Sequence, residues 1–292
     1  MAPVPSAVAA PSRAAVGLRR IPLHLAVLLL CAAWLVPSLG LLISSVRPGH
    51  EVATTGWWTA IVPPLSFTIE NYVQVLTRRD LGLSFMNSLL ITVPATMLTV
   101  GVAAYAAYAL AWMRSRYRDW VFLLLVAMLV VPIQITLVPV LRLFNAVGLT
   151  GTFVGIWLVH LGFGLPFAIY LLRNFFAQLP SEMLEAAAID GASPFATFFR
   201  IVLPTSVPAL ASLAILELVW NWNDLLAALI FLGGRKDVAP LTVAVSNLVA
   251  SHGEGWQLLT AAAFVSMTLP LVVFLTMQRY FVQGILGGSV KE

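Results

Sequence analysis

Residues 83–112 read LSFMNSLLITVPATMLTVGVAAYAAYALAW, thirty positions without one Asp, Glu, Lys or Arg. At 1.5 Å rise per residue such a helix is about 45 Å long, more than the ~30 Å hydrocarbon core of a bilayer demands. A helix at the surface of a soluble protein would carry polar residues on one face, and this run has no charged face at all. The segment is read as a membrane-spanning helix and sets the scale for the rest of the chain.

Five further, largely apolar stretches hold the ~20 or more residues that such a core demands: about 22–46, 120–141, 152–173, 206–232 and 258–280. The first is too long for a signal-peptide core of ~7–15 residues, so it is expected to stay attached as a span. Six helices in all predict an all-α integral membrane protein. Composition agrees: of 292 residues, 60% are hydrophobic and 10% charged, against ~25% charged in ordinary soluble domains. Soluble enzyme folds are excluded on that ground. The single cysteine, Cys31, lies in an apolar run and is expected to be a packing residue.

Sixteen Lys+Arg against twelve Asp+Glu give a formal charge of +4. The basic residues sit beside the spans, where they set topology. They give no nucleic-acid signal. With the N-terminus inside, ten of them (Arg13, Arg19, Arg20, Arg114, Arg116, Arg118, Arg173, Arg200, Arg279 and Lys291) fall on the cytoplasmic side and six outside. Both termini are then expected in the cytoplasm, in the cytoplasmic (inner) membrane. Residues 1–20 read as a disordered tail, 21–282 as the transmembrane domain, and 283–292 as a C-terminal tail. An outer loop of about 36 residues, 47–82, carries Trp57, Trp58 and Tyr72.

Neither of the two lysines, Lys236 and Lys291, stands in a G-x-x-x-x-G-K-[ST] setting, so no ATP site is expected in this chain. No catalytic residue is assigned. His24, His50, His160 and His252 are far apart in sequence and no metal site is expected; His160, inside a span, reads as an interhelical hydrogen-bonding residue.

The 32-residue connection between the fourth and fifth spans is patterned. In Pro180-Ser181-Glu182-Met183-Leu184-Glu185-Ala186-Ala187-Ala188-Ile189-Asp190-Gly191, Ser181 is expected to cap a helix over 182–190, which Gly191 stops in the left-handed conformation. Ser193 then caps a second helix with Pro194 in its first turn, running until Pro204 ends it. Ala186, Ala187 and Ala188 leave a face that another protein's surface can approach closely. An amphipathic hairpin resting in lipid headgroups is the competing reading.

Glu185-Ala186-Ala187-Ala188-Ile189-Asp190-Gly191-Ala192, followed after eight residues by Ile201-Val202-Leu203-Pro204, resembles the EAA signature of permease subunits of binding-protein-dependent ABC importers. Asn87-Ser88-Leu89-Leu90, the segment 131–139 and Trp222-Asn223-Asp224 resemble the carbohydrate-importer branch, and the tail 287–291 is similar to maltose-type permeases. The resemblance implies the type I importer permease fold, with hairpin 181–204 as a coupling helix seated in a separate ATPase. Glu185, Ala186, Ala187, Asp190, Gly191, Ala192, Leu203 and Pro204 are its coupling residues. It also implies the partners: a second permease, two ATPase subunits that hold ATP and Mg, and an extracytoplasmic sugar-binding protein. The cargo would be a carbohydrate moved by alternating access. No cofactor is implied for this chain itself.

Glu217, Asn221 and Asp224 recur at i, i+4 and i+7 with Trp220 beside them, one face of the fifth span. Hydroxyl-binding groups next to an aromatic ring suit a sugar path, and Gln134, beside Pro132, is a further candidate. Helix packing and an interfacial aromatic belt explain the same residues nearly as well. Two other classes remain at this point: an ion-coupled transporter using Glu217 and Asp224, and a membrane enzyme built around His160.

Overall fold

A computed structural model describes residues 13–63, 65–78, 81–250 and 255–287. The outermost parts of the two expected tails, 1–12 and 288–292, lie outside the described residues. The described residues are helical, in the order α1 Arg13–Ser45, α2 Gly49–Thr54, a 3-10 turn Trp57–Ile61, α3 Glu70–Arg78, α4 Leu81–Trp112, α5 Arg118–Met128, α6 Ile133–Ala146 and α7 Phe153–Phe176. Then follow α8 Ser181–Ile189, α9 Pro194–Thr197, a π turn Phe198–Val202, α10 Leu203–Thr205, α11 Val207–Asn223, α12 Leu226–Leu232, α13 Leu241–Ala250 and α14 Trp256–Gly287.

Within the described residues α1 already covers Arg13–Arg20, part of the segment expected to be a disordered tail, where Arg13-Ala14-Ala15 and Leu18-Arg19-Arg20 are good helix formers that extend the span into its basic flank. At the other end α14 runs on to Gly287, into the expected C-terminal tail.

Among the described residues four helices, α1, α4, α7 and α14, are long and apolar enough to cross a membrane. Two bent pairs bring the number to six if each is one span: α5 with α6, bent by 103°, and α9–α10 with α11, bent by 78°. The third expected span is thus broken rather than straight. Pro132 sits at the break in an extended conformation, where the residue before a proline avoids helix and the proline itself has no N–H to donate. The fifth is shorter than expected, since α11 ends at Asn223, where Asp224 takes an extended ψ of 124° before α12 starts at Leu226.

α4 and α7 form the centre of the bundle, with α11 against both and α14 behind. Small side chains allow the close approach: Ala103, Ala104 and Ala107 of α4 meet Ala168 of α7, and Tyr108, Leu172, Phe176 and Leu213 complete a buried cluster. A second cluster gathers Ile91, Ile156 and Val159 with Phe231 and Leu232 of α12. A third packs Trp222 against Val75, Leu81, Leu241, Ala261 and Ala262. α1 lies outside these clusters, its large apolar side chains exposed, and rests on α14 and the 3-10 turn.

Candidate functional site

The hairpin is built almost wholly from local rules. α8 starts at Ser181, and the boundary position before it is Pro180, whose φ of −58° and ψ of 128° provide the extended entry. Ser181 is therefore the first helical residue rather than the cap and makes no capping bond, and the helix starts one residue earlier than its sequence suggested. At the other end Gly191 has a φ of 75°, Gly191 N–H donates to Ala188 C=O at 3.1 Å and Ala192 N–H to Ala187 C=O at 2.9 Å. That pair of bonds is the Schellman arrangement, and it satisfies carbonyls a helix end leaves open. Ser193 then accepts from Ala196 N–H at 3.2 Å and Pro194 occupies the first turn, as its spacing predicted.

The second arm departs from expectation at its end. Pro204 lies inside α10 and does not terminate the helix. The preceding turn is widened to π geometry, with Leu203 N–H donating to Phe198 C=O, which eases the register around a residue that has no N–H of its own. Phe198 and Val202 are buried, and Phe198 meets Tyr105 and Tyr108 of α4 at ring distances of 5.2 and 5.4 Å. One arm is thus anchored in the bundle.

The first arm is presented. Glu185, Ala186, Ala188, Asp190 and Gly191 are exposed, and Ile189 is 86% exposed at the tip. Ala187 faces the body of the protein, so the expected small face is reduced to two alanines; Ala192 and Leu203 are half-buried and Pro204 is exposed. An isoleucine this open beside small residues and a carboxylate has the make-up of a contact surface.

Inside the bundle a cavity of about 210 Å³ opens between the Pro132 break, α7 and α11. Its polar lining is His160, Glu217 and Asn221, with Trp220, Phe163 and Phe167 as aromatic walls and Met128, Leu129, Val131 and Ile133 from the broken span. Glu217 and Asn221 are 6% and 5% exposed. Asn221 donates to the Thr96 hydroxyl of α4 at 3.2 Å. Gly164 makes the arrangement possible: a Cβ there would stand 2.7 Å from a Glu217 carboxylate oxygen and 3.0 Å from the Thr99 methyl. Gly162-Phe163-Gly164, small residues in a span, is the signal that could have found it.

Of the five expected path residues, Glu217, Trp220 and Asn221 line this cavity together. Gln134 is exposed and stands outside it, since its helix restarts after Pro132 and turns it away. Asp224 does not continue the α11 face. It leaves the helix at a ψ of 124°, and its two carboxylate oxygens accept from Ala227 N–H at 3.2 Å and Ala228 N–H at 3.0 Å, capping α12. Its own carbonyl accepts the Thr242 hydroxyl at 2.8 Å, and His160 Nε2 lies 3.9 Å from its carboxylate. Asp224 therefore pins α11, α12, α13 and α7 at one point.

Three other residues of the resemblance, Asn87, Ser88 and Trp222, have structural roles. Asn87 donates to Asp237 C=O and Ala239 C=O at 3.0 and 3.1 Å, and the Ser88 hydroxyl accepts Leu241 N–H at 2.8 Å. Together they clamp the turn between α12 and α13. Trp222, 2% exposed, donates to Ser266 C=O of α14 at 2.9 Å and meets Phe85 edge-on, so it belongs to the core and not to an interfacial belt.

Beyond α1 the loop is tied by a buried arginine. Arg47, 2% exposed, donates to Gly56 C=O at 3.1 Å and to Glu51, Thr55 and Thr59 at 3.3, 2.7 and 3.2 Å. The Ser66 hydroxyl donates to the other Glu51 oxygen. That bond first, and then Arg47, hold the Glu51 carboxyl below its ordinary pKa of 4.5.

Residues 78–287 match the family described as "Binding-protein-dependent transport system inner membrane component". The osmoprotective compounds uptake permease GgtD of Synechocystis sp. is 52% identical over 94% of this chain and 93% of its own length. The alpha-glucoside transport system permease AglG of Rhizobium meliloti is 38% identical over 94% of this chain and 98% of its own. Among solved structures, a bacterial ABC transporter that imports the acidic polysaccharide alginate has a chain that superposes with a TM-score of 0.75, covering 94% of this chain and 100% of that one at 22% identity, a likeness of fold. With its helical bundle, its broken spans and its exposed EAA-type hairpin, this chain belongs to the inner-membrane permease components of binding-protein-dependent ABC importers.

Proposed function

We propose that the chain carries a carbohydrate across the inner membrane by alternating access, the cargo class that several of its relatives' names give. The observation that carries this reading is the pairing of a presented hairpin with a polar-aromatic cavity on α7 and α11. The hairpin, 181–204, is the coupling element: Ile189, Glu185, Ala186, Asp190 and Gly191 enter a cleft of a separate ATPase, while Phe198 and Val202 pass its movement to α4 and α11. Ala187, Ala192, Leu203 and Pro204 hold the shape of that element. ATP and Mg act in two partner ATPase subunits, this chain having no P-loop. A second permease completes the pathway, and an extracytoplasmic binding protein delivers the sugar. Both termini and the hairpin lie in the cytoplasm, consistent with the basic bias of the loops.

Glu217, Asn221 and His160 supply hydrogen bonds to sugar hydroxyls and Trp220, 66% exposed, a ring face for stacking. Gln134 and Asp224 are not part of this path. Family membership sets aside the ion-coupled reading, and Asp224 is engaged by two backbone N–H groups.

Extraction of the tagged chain from native membranes in mild detergent tests the assembly. An ATPase and a second permease are expected in stoichiometric amounts, identified by mass spectrometry. Recovery of the chain alone, under conditions that keep other membrane complexes whole, overturns the coupling role of the hairpin.

A further inference from the structure

Four arginines lie where α4 stops, α5 starts and α7 stops: Arg114 and Arg116 in the loop after α4, Arg118 at the start of α5 and Arg173 in the last turn of α7. The Trp112 indole donates to Phe176 C=O at 2.8 Å, tying the loop after α4, with Arg114 and Arg116, to the last turn of α7. One turn before Phe176 on α7, the Arg173 guanidinium lies 4.5 Å over the Phe122 ring of α5. Phe122 is in turn stacked on Tyr170, 6.2 Å away and 8° from parallel. Arg118 lies one turn before Phe122, on the same face of α5.

These cations are under-compensated. Arg173 Nε is buried without an acceptor, and Nη1 reaches only the Asn174 side-chain oxygen at 3.5 Å. Arg118 pairs with Asp119 at 3.3 Å, and Arg116 lies 5.2 Å over the Tyr117 ring. Asp119 is the one carboxylate in α4, α5, α7 and the 113–117 loop. Immediately beside the arginines, Tyr117 and Trp120 are exposed, followed on α5 by exposed Val121 and Leu124. The arginines thus stand at the boundary between polar and apolar surface, the level at which headgroups meet hydrocarbon.

We propose that this edge binds the headgroup of an anionic phospholipid. Arg118 and Arg173 hold the phosphate, Arg114 and Arg116 add outer positive charge, and the acyl chains run along the apolar face of α5. The chemistry favours a lipid over a protein carboxylate: stacking on Phe122 presents the guanidinium edge to a phosphate in the membrane plane, and the neighbouring surface is apolar and aromatic. The proposal stands apart from the substrate and ATPase readings above, because it uses none of their residues.

The test is native mass spectrometry of the chain extracted with its native subunits and passed through vesicles of phosphatidylethanolamine with or without phosphatidylglycerol. Retained phosphatidylglycerol is expected on the unaltered protein. At about 1 kcal/mol per surface arginine, each charge removed weakens retention about fivefold, so Arg118→Gln with Arg173→Gln lowers it about 25-fold. Lysine at both positions keeps much of it. Arg114→Gln with Arg116→Gln, at exposed positions, also lowers retention and keeps the proposal open to refutation if the first pair fails to fold. Unchanged retention in both pairs overturns it. So does loss of a protein subunit in place of lipid, or full displacement of lipid by inorganic phosphate.

Discussion

Asp190 and Asp224 each close one helix just before another begins, and their surroundings could hardly differ more. Asp190 sits on an exposed tip held by Gly191, Ser193 and backbone bonds within a dozen residues. Asp224 is pinned by Ala227 and Ala228 ahead of it, by Thr242 eighteen residues on, and has His160 of α7 alongside. The first break is made by local rules and leaves its side chains for another molecule. The second is made by tertiary contacts and uses its side chain up. Breaks of the first kind suit coupling between subunits, and those of the second kind hold a pathway in shape.

The sharpest way to break this contrast is Gly191→Arg. A non-glycine residue in the left-handed region costs about 1–2 kcal/mol, and the side chain adds bulk at the tip. Uptake is expected to be abolished while the chain still inserts in the membrane, measured as transport against membrane-fraction yield. Normal uptake would remove the hairpin from the coupling role.

Gly164→Ala probes the interior. The added methyl has no room beside Glu217 and Thr99, so overpacking is expected to cost about 1–3 kcal/mol and to lower substrate affinity through the reshaped cavity. A thermal melt in detergent paired with uptake kinetics reads both, and an unaltered melt would mean α7 and α11 are looser there than they look. Asp224→Ala, which removes the cap of α12, is expected to lose about 1–2 kcal/mol in the same melt. The matching change at Asp190, free of side-chain contacts, should leave the melt within ~0.5 kcal/mol. Equal losses at the two positions would erase the distinction drawn above.

Asn221→Ala deletes the bond to Thr96, worth about 0.5–1.5 kcal/mol, and is expected to raise the KM for transport. Unchanged KM and uptake would take this residue out of the path.

The smallest effect concerns the loop beyond α1. Glu51 has a lowered pKa in the folded protein, so its contribution is present above the ordinary value of 4.5 and is lost as pH falls through the lowered one. Amide exchange of residues 49–60 is expected to quicken only in that acid window. Ser66→Ala, which removes the main cause of the shift, should move the onset toward pH 4.5.

Much of this protein is written in short-range chemistry. Uncharged runs of twenty or more residues specify spans because lipid offers backbone groups no partner but the helix itself. Glycine and serine at 191 and 193 specify the hairpin, since capping needs only neighbours a few bonds away. The EAA-type residues could therefore be read before any coordinates. Periodicity misled at Asp224, because i, i+4, i+7 presumes an unbroken helix and a carboxylate caps as readily as it faces a cavity. At Gln134 the expectation rested on its place beside Pro132, and the chain, bent by 103° between α5 and α6, leaves Gln134 exposed and outside the cavity lining. Composition could not reveal that Gly164 makes room for Glu217, or that Asn87 and Ser88 clamp a turn about 150 residues away. Those pairings exist only once α4, α7, α11 and the α12–α13 turn are brought side by side, which is a property of packing and not of any one segment.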